Sequence, residues 1–190
     1  GRGSGKPRLF KTFNQDAGFR EILSRDSLSG LSASNACSVR GHDNTAGFPG
    51  PDILEKYADD KSARAYWAGN LLFVLLEALK EEAEFQDILQ TWIQDDEVMQ
   101  FTKRELLTVP KEWINYICSY PEIWENMFQQ INAYLRQKDK WIFVSYDFLD
   151  RLTIDYNSLF PFIRMLLSFW FAHDRRWERI RCKIFLRNDL

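Results

Sequence analysis

The stretch Trp141-Ile142-Phe143-Val144-Ser145-Tyr146-Asp147 decides how this chain folds. Its first six residues are apolar, aromatic or small. They follow the charged run from Arg136 to Lys140 and end on an acid. A short run rich in aromatic and β-branched side chains, with no polar face, suits a strand covered on both sides of a sheet. A buried parallel strand is expected here, with Asp147 at its C-terminal end and Asp150 and Arg151 just beyond.

Working outward, a helix from about Ser158 to His173 is apolar nearly all round, with Pro161 in a first turn where no amide hydrogen is needed. A second strand follows at Cys182 to Leu186. Upstream, apolar positions repeat at helical spacing near residues 61–82, 83–94, 111–118 and 122–137. Residues 27–51 are rich in Ser, Gly, Asn and Pro, with a short strand only around Ala36 to Val39. Residues 27–140 are thus expected to be a variable loop and a helical insertion.

The chain opens with Gly1-Arg2-Gly3-Ser4-Gly5-Lys6, followed by Leu9, Phe10, Phe13, Phe19, Ile22 and Leu23 at helical spacing, interrupted by Gly18. Small residues let consecutive backbone NH groups turn inward at a helix N-terminus and cradle a phosphate, while a lysine reaches the outer phosphates. Gly1, Gly3, Ser4, Gly5 and Lys6 supply that pattern. A flexible glycine linker has the same composition, but it would not need the amphipathic helix that follows. In the full G-x-x-x-x-G-K-[ST] form the first glycine would precede Gly1, and position 7, here Pro7, would be Ser or Thr. The chain therefore reads as a piece of a longer protein whose first strand lies before residue 1.

A carboxylate ending a buried strand beside such a loop can hold Mg²⁺, which points to Asp147. The order of glycine loop, helix, acid-tipped strand, helix and strand is that of an α/β P-loop NTPase core, a parallel sheet flanked by helices. On this reading residues 141–146 and 182–186 are neighbouring parallel strands, with Asp147 and Arg187 on the same sheet edge as Lys6.

Composition removes several other classes. Lys and Arg number 25 against 27 Asp and Glu, a net charge of -2, so nothing draws the whole chain to nucleic acid or an anionic membrane. The apolar runs Leu71 to Leu76 and Met165 to Ala172 are far shorter than the roughly 20 residues of a membrane span. Cys37, Cys118 and Cys182 lack metal-ligand spacing and suit a reducing, cytoplasmic setting. His42, in Arg40-Gly41-His42-Asp43, is expected to be a solvated loop residue, and the basic cluster from Arg175 to Lys183 a solvated helix end.

Gly1 to Lys6 with Arg8-Leu9-Phe10, the strand and acids from Phe143 to Arg151, and Lys183 to Leu190 together resemble bacterial P-loop ATPases of the KAP-like and AAA-related type. The resemblance implies ATP binding and hydrolysis in the cytoplasm, within a larger protein that has a protein partner or forms a homo-oligomer. It assigns Lys6 to the β and γ phosphates, Asp147 to Mg²⁺, Asp150 to water or the metal shell, and Arg151 and Arg187 to phosphate sensing or intersubunit contacts. Two departures stand out: Pro7 replaces a metal-ligating hydroxyl, and Phe148 stands where many such ATPases have the glutamate that activates water. Two alternatives follow, a nucleotide-sensing or scaffold module without turnover and a helical protein-interaction domain with no nucleotide site.

Overall fold

A computed structural model describes residues 6–25, 31–42, 48–93 and 109–186. The fold is α/β, a three-stranded parallel sheet covered by helices on both faces. Helices α1 (Lys6–Phe13) and α2 (Asp16–Arg25) precede strand β1 (Ala36–His42). Among the described residues, α3 (Pro51–Leu54), α4 (Asp60–Ala78), α5 (Ala83–Ile93), α6 (Pro110–Ser119) and α7 (Pro121–Gln137) then lead to β2 (Trp141–Tyr146). A short 3₁₀ turn (Leu149–Arg151) and α8 (Tyr156–His173) lead on to β3 (Ile180–Ile184).

The sheet order is β1-β2-β3, with Val144 facing Val39 on one side and Cys182 on the other. The expected parallel pairing of residues 141–146 with the last strand is present, although β3 starts two residues earlier, at Ile180. The short strand expected at Ala36 to Val39 is present and runs on to His42, so the expected loop over residues 27–51 is shorter than read. Residues 36–42 form a full strand hydrogen-bonded to β2, so this part of 27–140 belongs to the sheet. Its Ser, Arg, Gly and His residues hide the strand pattern, because an edge strand can leave much of its length to solvent.

Period-two alternation divides β2 between two environments. Ile142, Val144 and Tyr146 face α4 and α8, where Tyr146 meets the rings of Trp67 (5.6 Å) and Trp170 (6.1 Å). Trp141, Phe143 and Ser145 face α1 and α2, and the Phe143 ring meets those of Phe13 (6.2 Å) and Phe19 (5.7 Å). Helix α4 is buried along most of its length because it lies between the sheet, α6 and α8. Asp59 caps it by accepting from the Ser62 amide at 3.0 Å, and Trp67 donates its indole NH to the Phe162 carbonyl of α8 at 2.7 Å. Gly69 is needed where the Trp113 ring of α6 crosses, since a Cβ there would overlap the ring.

Helix α8 begins at Tyr156, capped by Asp155, so Pro161 lies inside the helix and not in its first turn. The segment after Lys6 is two helices, and Gly18 lies within the second. No helix among the described residues is long and apolar enough to cross a membrane.

The α4–α8 face also buries polar groups. Among the described residues, the hydroxyls of Tyr66 and Tyr146, both polar atoms of the Asn70 amide and the Trp170 indole NH make no hydrogen bond of normal geometry. Each such group left dry costs about 1–3 kcal/mol. Together they would rival the about 5–15 kcal/mol that holds a domain folded.

Candidate functional site at the C-terminal edge of the sheet

Asp147 follows β2 directly. Its amide donates to the His42 carbonyl at 3.2 Å, extending the β1–β2 ladder by one residue, and its Oδ2 is buried. At Phe148 the backbone turns into the left-handed region, with φ 54°. That turn directs the Phe148 ring toward the Phe10 ring of α1, edge-on at 6.4 Å. Leu149 is buried and anchors the 3₁₀ turn that carries Asp150 and Arg151. The Arg151 guanidinium lies over the Phe148 ring at 5.5 Å, an interaction that holds it back against its own loop.

Contacts along α1 fix its direction. The Phe10 ring meets Phe148 and Phe185, both beyond strand ends, whereas Phe13 meets Phe143 in the middle of β2. Helix α1 therefore runs antiparallel to the strands and starts at their C-terminal edge. Lys6 is one helical turn, about 6 Å, ahead of Phe10. Its backbone thus begins on the same edge as Asp147.

A polar contact just past the end of α1 secures this position. The Asn14 amide donates to Ser145 Oγ at 2.7 Å, while that hydroxyl can donate back to Asn14 Oδ1 at 2.9 Å or to the Val39 carbonyl at 3.3 Å. Ser145 is fully buried and stands two residues before Asp147, so the strand that carries the acid also holds the helix. Sequence reading missed Asn14. The available signals were the one small polar side chain in the apolar run 141–146 and an Asn where the first helical pattern stops.

Of the residues expected to act together, Asp147, Asp150 and Arg151 share one loop, and the start of α1 lies on the same edge. Gly1, Gly3, Ser4, Gly5 and Arg187 lie outside the described residues, as does the side chain of Lys6. Phe148 packs between α1 and Arg151 and brings no acid to this position. Among the described residues no group of three or more His, Cys, Asp or Glu could hold a metal ion by itself.

His42 is not a solvated loop residue. It ends β1, is 4% exposed, and sits between the rings of Phe48 (4.9 Å) and Trp67 (6.1 Å). The basic cluster is also largely occupied. Arg176 pairs with Glu125, Arg179 with Asp139 while lying over Trp141, and Arg181 donates to the Asp174 carbonyl. Comparison with protein-family models, with curated proteins and with solved structures finds no match to this chain.

Proposed function

We propose that this chain binds ATP with Mg²⁺ at the C-terminal edge of its sheet, as part of a P-loop NTPase domain. The observation that carries the reading is the path of α1, which starts at that edge beside the acid-tipped β2 and descends along the sheet. A helix placed this way directs its N-terminal NH groups and dipole toward a phosphate near Asp147.

Chain topology supports the same reading. The connections β1 to β2 and β2 to β3 both pack helices on the face of Ile142, Val144 and Tyr146. Both step the same way across the sheet, as right-handed crossovers on one face must. Helices α1 and α2 cover the opposite face, so a right-handed connection through them into β1 must step the other way. A parallel strand feeding α1 would then lie beyond β3, with its end near Phe185. The Phe10 ring, 5.6 Å from that of Phe185, brings α1 to that side.

In this proposal the glycines and Ser4 cradle the phosphates and Lys6 neutralises them. Asp147 would hold Mg²⁺, whose usual set of one or two carboxylates plus phosphate oxygens and water suits a single acid at a strand end. Asp150 would orient water or the metal shell, and Arg151 and Arg187 would respond to the phosphates. Magnesium would offset charge on the transferring phosphoryl group.

A second reading, nucleotide sensing without turnover, is favoured by Pro7 at the second position of α1 and by Phe148 packed on Phe10. Neither can supply the hydroxyl or carboxylate that hydrolysis commonly uses.

The test is ATP titration of the full-length protein with and without Mg²⁺, by calorimetry. Lys6→Ala should weaken binding at least tenfold, and Asp147→Asn should chiefly remove the Mg²⁺ dependence. Binding without phosphate release would select the sensing module. Unchanged affinity and metal dependence in both variants would overturn the proposal in favour of a helical interaction domain.

A further inference from the structure

Tyr66 and Asn70 lie one turn apart on α4, Tyr146 ends β2 and Trp170 stands near the end of α8. Tyr66, Asn70 and Tyr146 are 0% exposed and Trp170 is 4% exposed. Asn70 approaches Tyr66, Tyr66 lies within electrostatic reach of Tyr146, and Tyr146 approaches Trp170. The Tyr146 and Trp170 rings are 6.1 Å apart, and Trp67, next to Tyr66, has its ring 5.6 Å from that of Tyr146. Burial pushes both tyrosine hydroxyls well up from their ordinary range; Asn70 partly opposes this at Tyr66, and Trp170 does so at Tyr146.

These direct approaches do not satisfy the cluster. An amide offers two NH donors and an oxygen with two acceptor sites, more than one neighbouring hydroxyl can serve. Both amide atoms, both hydroxyls and the indole NH are buried without a well-formed partner. The groups mix donors and acceptors and carry no charge, and no Asp, Glu, Lys or Arg is among the buried residues described. The complementary ligand is small and neutral, and it both donates and accepts.

We propose that Tyr66, Asn70, Tyr146 and Trp170 bind an internal water at the junction of α4, α8 and β2. A water making about three hydrogen bonds, as buried waters commonly do, would join the two helices to the strand through the donors and acceptors that their direct approaches leave unmet. The site lies in the core, and its existence does not depend on nucleotide binding.

Oxygen-17 magnetic relaxation dispersion of the full-length protein tests this, because it detects waters held far longer than surface hydration. The wild type should show such waters, and Asn70→Leu should lose at least one while keeping its far-UV circular dichroism. If Asn70→Leu does not fold, Tyr146→Phe, which keeps the ring, should show the same loss. No long-lived water in the wild type, or an unchanged number in a folded variant, overturns the proposal.

Discussion

The two faces of the sheet are built differently. Against Ile142, Val144 and Tyr146 lie the long helices α4 and α8, whose aromatic side chains interlock with those of α6 and α7. Against Trp141, Phe143 and Ser145, among the described residues, lie α1 and α2, held by a few rings and by the Asn14–Ser145 pair. Buried aromatic area is a large stabilising term and polar pairs are directional. The thick face therefore secures the domain, while the thin face sets where α1 begins relative to Asp147.

The largest expected effect strikes the thick face. Trp67→Ala should destabilise the protein by about 3–5 kcal/mol, because it empties ring volume and removes the indole bond to the Phe162 carbonyl. Phe13→Ala, at a half-buried ring of the thin face, should cost less than half as much. Urea denaturation of both variants measures the difference, and equal losses would break the contrast.

Next comes the anchor of the thin face. Asn14→Ala should cost about 0.5–1.5 kcal/mol because the buried Ser145 hydroxyl loses its amide donor and keeps only the Val39 carbonyl. Adding Ser145→Ala should recover part of that loss, so the double variant should be more stable than the sum of the single losses predicts. Strict additivity in the denaturation midpoints would show that the pair does not hold α1.

Thiol labelling reports where the cover of the thick face ends. Cys37, at the start of β1, is exposed, whereas burial pushes the Cys182 thiol up to about 12. In the native protein Cys37 should react promptly with a thiol reagent at neutral pH, and the half-buried Cys182 far more slowly than Cys37. Comparable native labelling rates at the two sites, read by mass spectrometry of the peptides, would mean that α4 and α8 do not seal β3.

The smallest effect belongs to an ion pair near the start of β2. Glu82 accepts from Lys140, and that bond, with help from the Tyr134 hydroxyl, holds its carboxyl below the ordinary 4.5. A lowered folded value stabilises above pH 4.5, and this contribution is lost as pH falls through the folded value. About a third of each side chain is exposed, so solvent screening keeps the effect small. Glu82→Gln should lower stability by under about 1 kcal/mol at pH 7, and the difference should vanish in acid. A deficit that persists at low pH would assign Glu82 a packing role.

Much of the thick face was legible in the sequence. Helix periodicity located α4 to α8 within a few residues, and the mostly apolar run of residues 141–146 marked a central strand. Strand β1 was only partly legible, because Arg40, Gly41 and His42 do not alternate as a buried strand does. Gly41 is there because a Cβ would overlap the Tyr146 ring, a reason that lies about a hundred residues away. His42 was misread for the same kind of reason, since Phe48 and Trp67 bury it only after the chain folds.

At the candidate site, sequence alone determined which acids follow β2 and that a helix opens after Lys6. Both depend on residue order and on local preferences. Tertiary structure alone decided that this helix starts at the edge where Asp147 stands, through Phe10 on Phe148 and Phe185 and Asn14 on Ser145. It also decided that Tyr66, Asn70, Tyr146 and Trp170 meet in the core. Local pattern records which face a residue presents, but the partner on that face comes from packing between segments far apart in the chain.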